Sequence, residues 1–405
     1  MSYKPSPEII DKYADVLVNF ALNDGKGVKP GEVVRISAQE SQKPLLLAVD
    51  RAVIKAGAHS MLSYIPDEVG EQRLYRDFLE LATDEQLDFF PEKFFRGLAD
   101  QIDHIITLIG EADPHVMKGV DSKKMMRYQQ SRKPFRDWLE KKENAGKFTW
   151  TVALYGTEAK AKEAGLTLEE YWQEIINACY LDEADPVAKW KEVLAQVEDY
   201  KTRFNALPIN KLHIEGEDAD LWITLGEKRK WDGGGGRNVP SFEIFTSPDW
   251  RGTEGWIRFN QPLYAFGNMV EGIELKFKKG EVTSATATKN EEFLKEMIAT
   301  EGANRIGEFS LTDARLSKIT KFMADTLYDE NMGGKYGNTH IALGMSYQTC
   351  YDGDPTTVSK QQWKELGFND STVHEDLIST SDRTVTAVMQ DGSEQVIYKD
   401  GQYQF

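Results

Sequence analysis

The side chains best suited to chemistry in this 405-residue chain lie in its second half. The run Asn338-Thr339-His340-Ile341-Ala342-Leu343-Gly344-Met345-Ser346-Tyr347 sets an imidazole and a phenol seven residues apart among small and apolar residues. His374-Glu375-Asp376 adds a second imidazole with a carboxylate two residues on. Residues two apart on an extended chain face one side, so His374 and Asp376 converge if that stretch is a strand. Upstream, Glu243 and Glu308 interrupt the short apolar runs Phe242–Phe245 and Ile306–Leu311. Imidazole nitrogen mixed with carboxylate oxygen suits Zn, Co or Mn. The pattern predicts that the last third folds around a pair of metal ions.

Each residue also has an ordinary reading. His340 alone fits a satisfied core histidine, and His374-Glu375-Asp376 fits a surface turn. Glu243 and Glu308 fit solvated strand edges, where buried-looking carboxylates usually sit. No His-Glu-x-x-His motif closes the site. Tyr347 stands at odd spacing from His340, so a regular strand would face the two oppositely. A bend at Gly344 is required to bring them together.

The elements that must carry these residues divide the chain in two. Val33–Ser37, Ser60–Ile65 and His104–Ile109 read as strands, separated by helical spacing over 8–22, from Pro44 to Gly57, and over a long charged stretch to Ile102. Strands alternating with helices imply a parallel, doubly wound α/β sheet. Asp185-Pro186 opens a helix to about Phe204, with Asp as N-cap and Pro at the first helical position. Leu207-Pro208 marks a boundary, giving an N-terminal α/β domain over 1–206 and a metal-binding domain over 207–405. The second half reads as closely spaced strands, with helices at Glu291–Ala299 and Ser317–Thr326 and a final hairpin turning at Asp391-Gly392. That texture is α+β and rich in antiparallel pairs.

Composition narrows the partners. Hydrophobic residues at 40% support packed cores, and 405 residues exceed one ordinary core. A net charge of −17 and pI near 5.0 disfavour nucleic acid and anionic membranes, which need basic patches. Only Cys179 and Cys350 are present, which reads as a reducing compartment without disulfides. No apolar signal follows Met1–Pro7, and no apolar run is long enough to cross a membrane. A cytoplasmic protein is expected. The doubly wound half carries no Gly-x-Gly-x-x-Gly or Walker sequence, and Gly233–Gly236 lacks the following Lys-Ser/Thr, so nucleotide binding is set aside.

Asn238-Val239-Pro240-Ser241-Phe242-Glu243-Ile244-Phe245-Thr246-Ser247-Pro248, Gly307-Glu308-Phe309, Asp329-Glu330-Asn331, His340-Ile341-Ala342-Leu343-Gly344 with Tyr347, and His374-x-Asp376 follow one another in a specific order. With Tyr155-Gly156-Thr157, Leu225-Gly226-Glu227 and Val396–Gly401, this order resembles the aminopeptidase T family of metallopeptidases over most of the chain. The resemblance implies a cytoplasmic, homodimeric exopeptidase that uses two divalent ions (Zn, Co, Mn or Mg) on peptides with a free N-terminus. It implies Glu243, Glu308, His340, His374 and Asp376 as metal ligands, with Glu330 in the set and Tyr347 as a catalytic phenol. Glu308 would bridge the ions, and Glu243 would ligate or act as general base. The connection Met332–Gly337 is longer here than family members often have, which bears on Glu330.

Two other readings use the same residues. A different metal hydrolase, an amidase or a phosphoesterase, would need cations for an anionic substrate, and Arg237 and Arg305 are the candidates. A non-catalytic peptide- or metal-binding protein would keep the carboxylates and need no Tyr347 hydroxyl.

Overall fold

The computed structural model describes residues 3–265 and 268–405; Met1 and Ser2, part of the terminus read above for a secretion signal, lie outside them. The chain forms two compact units, Met1–Leu194 with Gly235–Ser241, and Ala195–Gly234 with Phe242–Phe405. A single cut between 206 and 207 has neither the break inside the helix Pro186–Asn205 nor the return of Gly235–Ser241 to the first unit. That return has a simple cause: Asn238–Val239 adds a strand to the first unit's sheet.

The first unit is built on a five-stranded parallel sheet in the order His59–Ile65, Val33–Gln39, His104–Ile109, Thr149–Leu154, Asn238–Val239. The strand order reverses between Val33–Gln39 and His104–Ile109, as a doubly wound sheet requires. The strand Val33–Gln39 buries Val34, Ile36 and Ala38, and the crossover helix Lys43–Lys55, which packs on that strand, buries Leu45, Val49 and Val53. The long charged stretch expected to be helical breaks into Leu74–Leu81, Asp84–Asp88 and Glu92–Gln101, the second started by a Thr83/Gln86 capping box.

The second unit holds two larger antiparallel sheets. One has eight strands in the order Glu281–Thr286, Glu274–Lys278, Asp249–Arg258, Ala219–Thr224, Ile209–Gly216, Arg383–Met389, Glu394–Lys399, Gln402–Tyr403. The other has four: His374–Ser379, Asn338–Gly344, Ile306–Thr312, Glu243–Thr246. The expected fold class, a parallel α/β half followed by an antiparallel-rich half, is borne out. One expected element is not. Residues 317–325 are bend and coil, and the helix there is the short Thr326–Asp329. Leu316, Ile319 and Met323 imitate helical spacing, but polar side chains take the amides a helix would use. Ser317 Oγ accepts from Ile319 N, and the Asp329 carboxylate accepts from Met323 N and Asp325 N.

Buried polar ties hold the four-stranded sheet to its surroundings. Arg383, 1% exposed, donates from Nε and Nη2 to the Asp218 carboxylate at 3.0 Å each, and from Nη1 to Thr339 Oγ1 at 2.8 Å. It thereby links the eight-stranded sheet to the residue before His340. Tyr403 OH donates to Leu311 O at 2.8 Å, fastening the last strand to the one that carries Glu308. Removing one partner of such a buried pair strands the other charge, so Asp218→Ala is expected to cost about 3–5 kcal/mol in urea unfolding. An unchanged urea midpoint would show that the tie carries no stability.

Candidate metal centre

Register alone assembles the site. Directly paired residues in an antiparallel sheet face the same side, and so do residues two apart on one strand. Thr312 pairs with Glu243, Ser310 with His340, Glu308 with Ala342, Ala342 with Asp376, and Gly344 with His374. Glu243, Glu308, His340, His374 and Asp376 therefore share one face of the four-stranded sheet. Every residue of Ile306–Thr312 and of Asn338–Gly344 is buried, so that face is covered.

Two glycines make the register possible. The pairing shifts between Ile306 and Glu308, and a Cβ at Gly307 would lie 2.2 Å from Met345 O. Opposite it, Gly344 ends its strand at φ +111°, where a Cβ would meet Val373 O at 2.0 Å. The chain thus turns at Gly344. Tyr347 N donates to Ser247 Oγ at 2.8 Å, and the Tyr347 ring stands 4.7 Å from the His374 ring, edge on.

His340 Nε2 lies 3.3 Å from Glu243 Oε2, 3.4 Å from Glu308 Oε1 and 3.7 Å from Asp376 Oδ1. His374 Nε2 lies 3.3 Å from Glu308 Oε2 and 3.9 Å from Asp376 Oδ1. His374 Nδ1 meets the carbonyl of Met345 at 2.8 Å; a carbonyl only accepts, so Nδ1 carries the proton there and Nε2 is aimed at the carboxylates. His340 Nδ1 has no hydrogen-bond partner, and its Nε2 faces the carboxylates. Among the described residues, two groups have ligand atoms close enough to hold an ion: Glu243/Glu308/His340 and Glu308/His374/Asp376. Glu308 belongs to both. Glu330, 6% exposed at the end of Thr326–Asp329, is in neither group and joins the cluster through its charge on Glu243, Asp376 and Glu308.

With this geometry in view, the match of the chain to known proteins is specific. The model of the thermophilic metalloprotease family (M29) matches residues 7–403. The chain belongs to that family. It is 30% identical to aminopeptidase T of Thermus thermophilus over 97% of this chain and 98% of the relative. It is 27% identical to aminopeptidase AmpS of Bacillus subtilis, covering 98% of each. The solved structure of wild-type AmpT from Thermus thermophilus superposes with a TM-score of 0.80 at 26% identity, covering 98% of this chain and 99% of that one. The resemblance inferred from the ordered motifs is borne out.

The electrostatics of this metalloprotease show why cations fit. Burial pushes Glu243 up, and the Glu308 carboxylate adds to it against an opposing hydrogen bond from His340. Burial pushes Glu330 well above its ordinary value, with Glu243 and Asp376 adding repulsion. For Glu308, hydrogen bonds from His340 and His374 outweigh burial and hold it down at about 2. Burial works against protonated His374, but Glu308 and Asp376 raise it to about 9; His340 rises likewise against burial. Four carboxyl groups meet two imidazoles in a buried space, a donor set that matches divalent Zn, Co or Mn. Sequence reasoning missed Ser310, whose hydroxyl donates to Glu243 Oε2 at 2.7 Å, although its two-residue spacing from Glu308 marks the shared face. It also missed the Met345 carbonyl, for which the sequence carries no signal.

These shifts set a pH dependence for the metal-stripped protein. His374 rises from 6.5 to about 9 on folding, so its stabilisation is complete below about 6.5 and lost as pH climbs through about 9. Glu243 and Glu330, also raised, cost stability in the same direction as they ionise. Calorimetry of stripped protein should show Tm falling from pH 6.5 to about 9, and divalent cations should flatten that slope. A stripped protein with no such slope contradicts the burial of an ionised cluster.

Proposed function

We propose that this chain removes N-terminal residues from peptides at a two-ion centre held by Glu243, Glu308, His340, His374 and Asp376, with Glu330 completing the set. Metal-dependent aminopeptidase activity follows from family membership and from relatives that are themselves aminopeptidases. The observation that carries the two-ion reading is the sharing of Glu308 between both donor groups. Glu308 has one oxygen near each imidazole, which supports a bridging role.

When bound, divalent ions supply Lewis-acid polarisation of the scissile carbonyl and a nucleophile at neutral pH. The chain supplies the rest. Tyr347 is half-buried beside the cluster; the loss of solvation first and the Glu308 charge next push its pKa well above 10, so the phenol keeps its proton. A protonated phenol beside the cluster serves as a donor to the oxyanion that forms at the carbonyl. Ser310 orients Glu243, leaving that carboxylate to ligate or to take the proton of the attacking water. The surplus of carboxyl over imidazole groups favours a substrate bearing a free α-ammonium, which accounts for exopeptidase rather than endopeptidase action.

A cytoplasmic homodimer belongs to the same reading. Cys179 and Cys350 are free and buried, and no helix among the described residues is long and apolar enough to cross a membrane. The edge strand His59–Ile65 exposes Met61, Leu62, Tyr64 and Ile65, a surface that a second copy would cover. The phosphoesterase alternative loses its cations. Arg305 pairs with Glu281 and stacks 3.9 Å over Trp250, and Arg237 donates to Glu143 at 2.9 Å.

Tyr347→Phe is expected to lower kcat about 10²–10³-fold, the scale for losing one oxyanion donor. Metal content should not change, and a variant that keeps full rate removes Tyr347 from the mechanism. With wild-type protein, unblocked peptides should release free amino acid while N-acetylated versions stay intact. Equal cleavage of both would rule out the aminopeptidase assignment.

A further inference from the structure

Asn331 is fully buried, and its side chain joins the two segments that bring Glu243 and Glu330 to the cluster. Its Oδ1 accepts from Phe242 N, the residue before Glu243, at 2.7 Å. Its Nδ2 donates to Glu330 Oε1 at 3.2 Å and to Leu327 O at 3.3 Å. The orientation of the amide is not in doubt, because a backbone N–H can only donate and so must face the oxygen. The NH2 then faces the Glu330 carboxylate. The residue's own carbonyl is held in turn by the Ser317 hydroxyl, so the amide sits on an anchored backbone.

We propose that Asn331 is a positioning residue for the metal centre: its amide turns the Glu330 carboxylate toward the cluster and fixes it relative to Glu243. This rests on the reading of the cluster as a metal centre. A hydrogen bond donated to a carboxylate oxygen sets the plane of that group, and partners one step behind metal ligands commonly control affinity. An aspartate at 331 would keep the acceptor for Phe242 N–H but set an oxygen against Glu330 Oε1. A glutamine at 330 facing that aspartate would restore a donor–acceptor pair with the roles exchanged.

The test measures Zn²⁺ affinity of the full-length chain by competition with a chelating chromophore, which needs no peptide turnover. Asn331→Asp should weaken Zn²⁺ binding about 10–100-fold, the range for groups that orient metal ligands. In a Glu330→Gln background the same substitution should change affinity by no more than about twofold, the scatter of independent sites. Equal losses in both backgrounds would place the effect in the fold through the lost donation to Leu327 O and overturn the proposal. So would wild-type affinity in Asn331→Asp. If that single variant does not fold, the double variant decides: it must fold and bind Zn²⁺ as Glu330→Gln does, and its failure overturns the proposal. A wild-type chain that binds no Zn²⁺ overturns both this proposal and the metal centre; one that binds Zn²⁺ yet cleaves no peptide removes only the aminopeptidase reading.

Discussion

The second unit depends on one constraint: four carboxyl groups and two imidazoles crowd one largely buried space. Burying a single unpaired charge costs several kcal/mol, and like charges side by side add to it. Protonated His340 and His374 offset part of the excess and hold Glu308 ionised. Glu243 and Glu330 are left pushed toward their neutral forms. Such an arrangement is unfavourable for a structural core and well matched to divalent cations, whose charge opposes the upward shifts of Glu243 and Glu330 and keeps Glu308 ionised.

The sheet makes this crowding inescapable. Five of the six candidate ligands, all but Glu330, sit on one face of four paired strands, so none of the five can withdraw without a change of register. The shift at Gly307 and the turn at Gly344 tune that face, the first at Glu308 and the second at Tyr347. Around them, neutral polar groups finish the geometry: Ser310 donates to Glu243, Asn331 donates to Glu330, and Ser247 Oγ accepts from the backbone N–H of Tyr347. Arg383 and Tyr403 secure the strands from the neighbouring sheet. Stability elements and site elements are thus the same strands.

Much of this was legible in the chain. The parallel half followed from strands alternating with helices, and the family from an ordered set of short motifs. The need for a turn at Gly344 followed from the odd spacing of His340 and Tyr347. Local pattern could not tell whether Glu243 and Glu308 face water or a buried cluster, because that depends on pairing between strands up to 69 residues apart in register, as between Glu243 and Thr312. The helix expected over Ser317–Thr326 failed for a related reason. Its apolar spacing was helical, but Ser317 and Asp329 compete for its amides, and Asp329 acts from beyond the window that periodicity reads. The Met345 carbonyl behind His374 was invisible, since every residue except proline offers the same backbone groups.

The central claim is that one shared carboxylate, Glu308, holds two ions against two imidazoles. Anomalous scattering at the zinc edge from crystals of the Zn²⁺-loaded protein tests it most directly. The account predicts two peaks, one beside Glu243 and His340 and one beside His374 and Asp376, with Glu308 in contact with both. A single peak, or peaks away from these side chains, would contradict it.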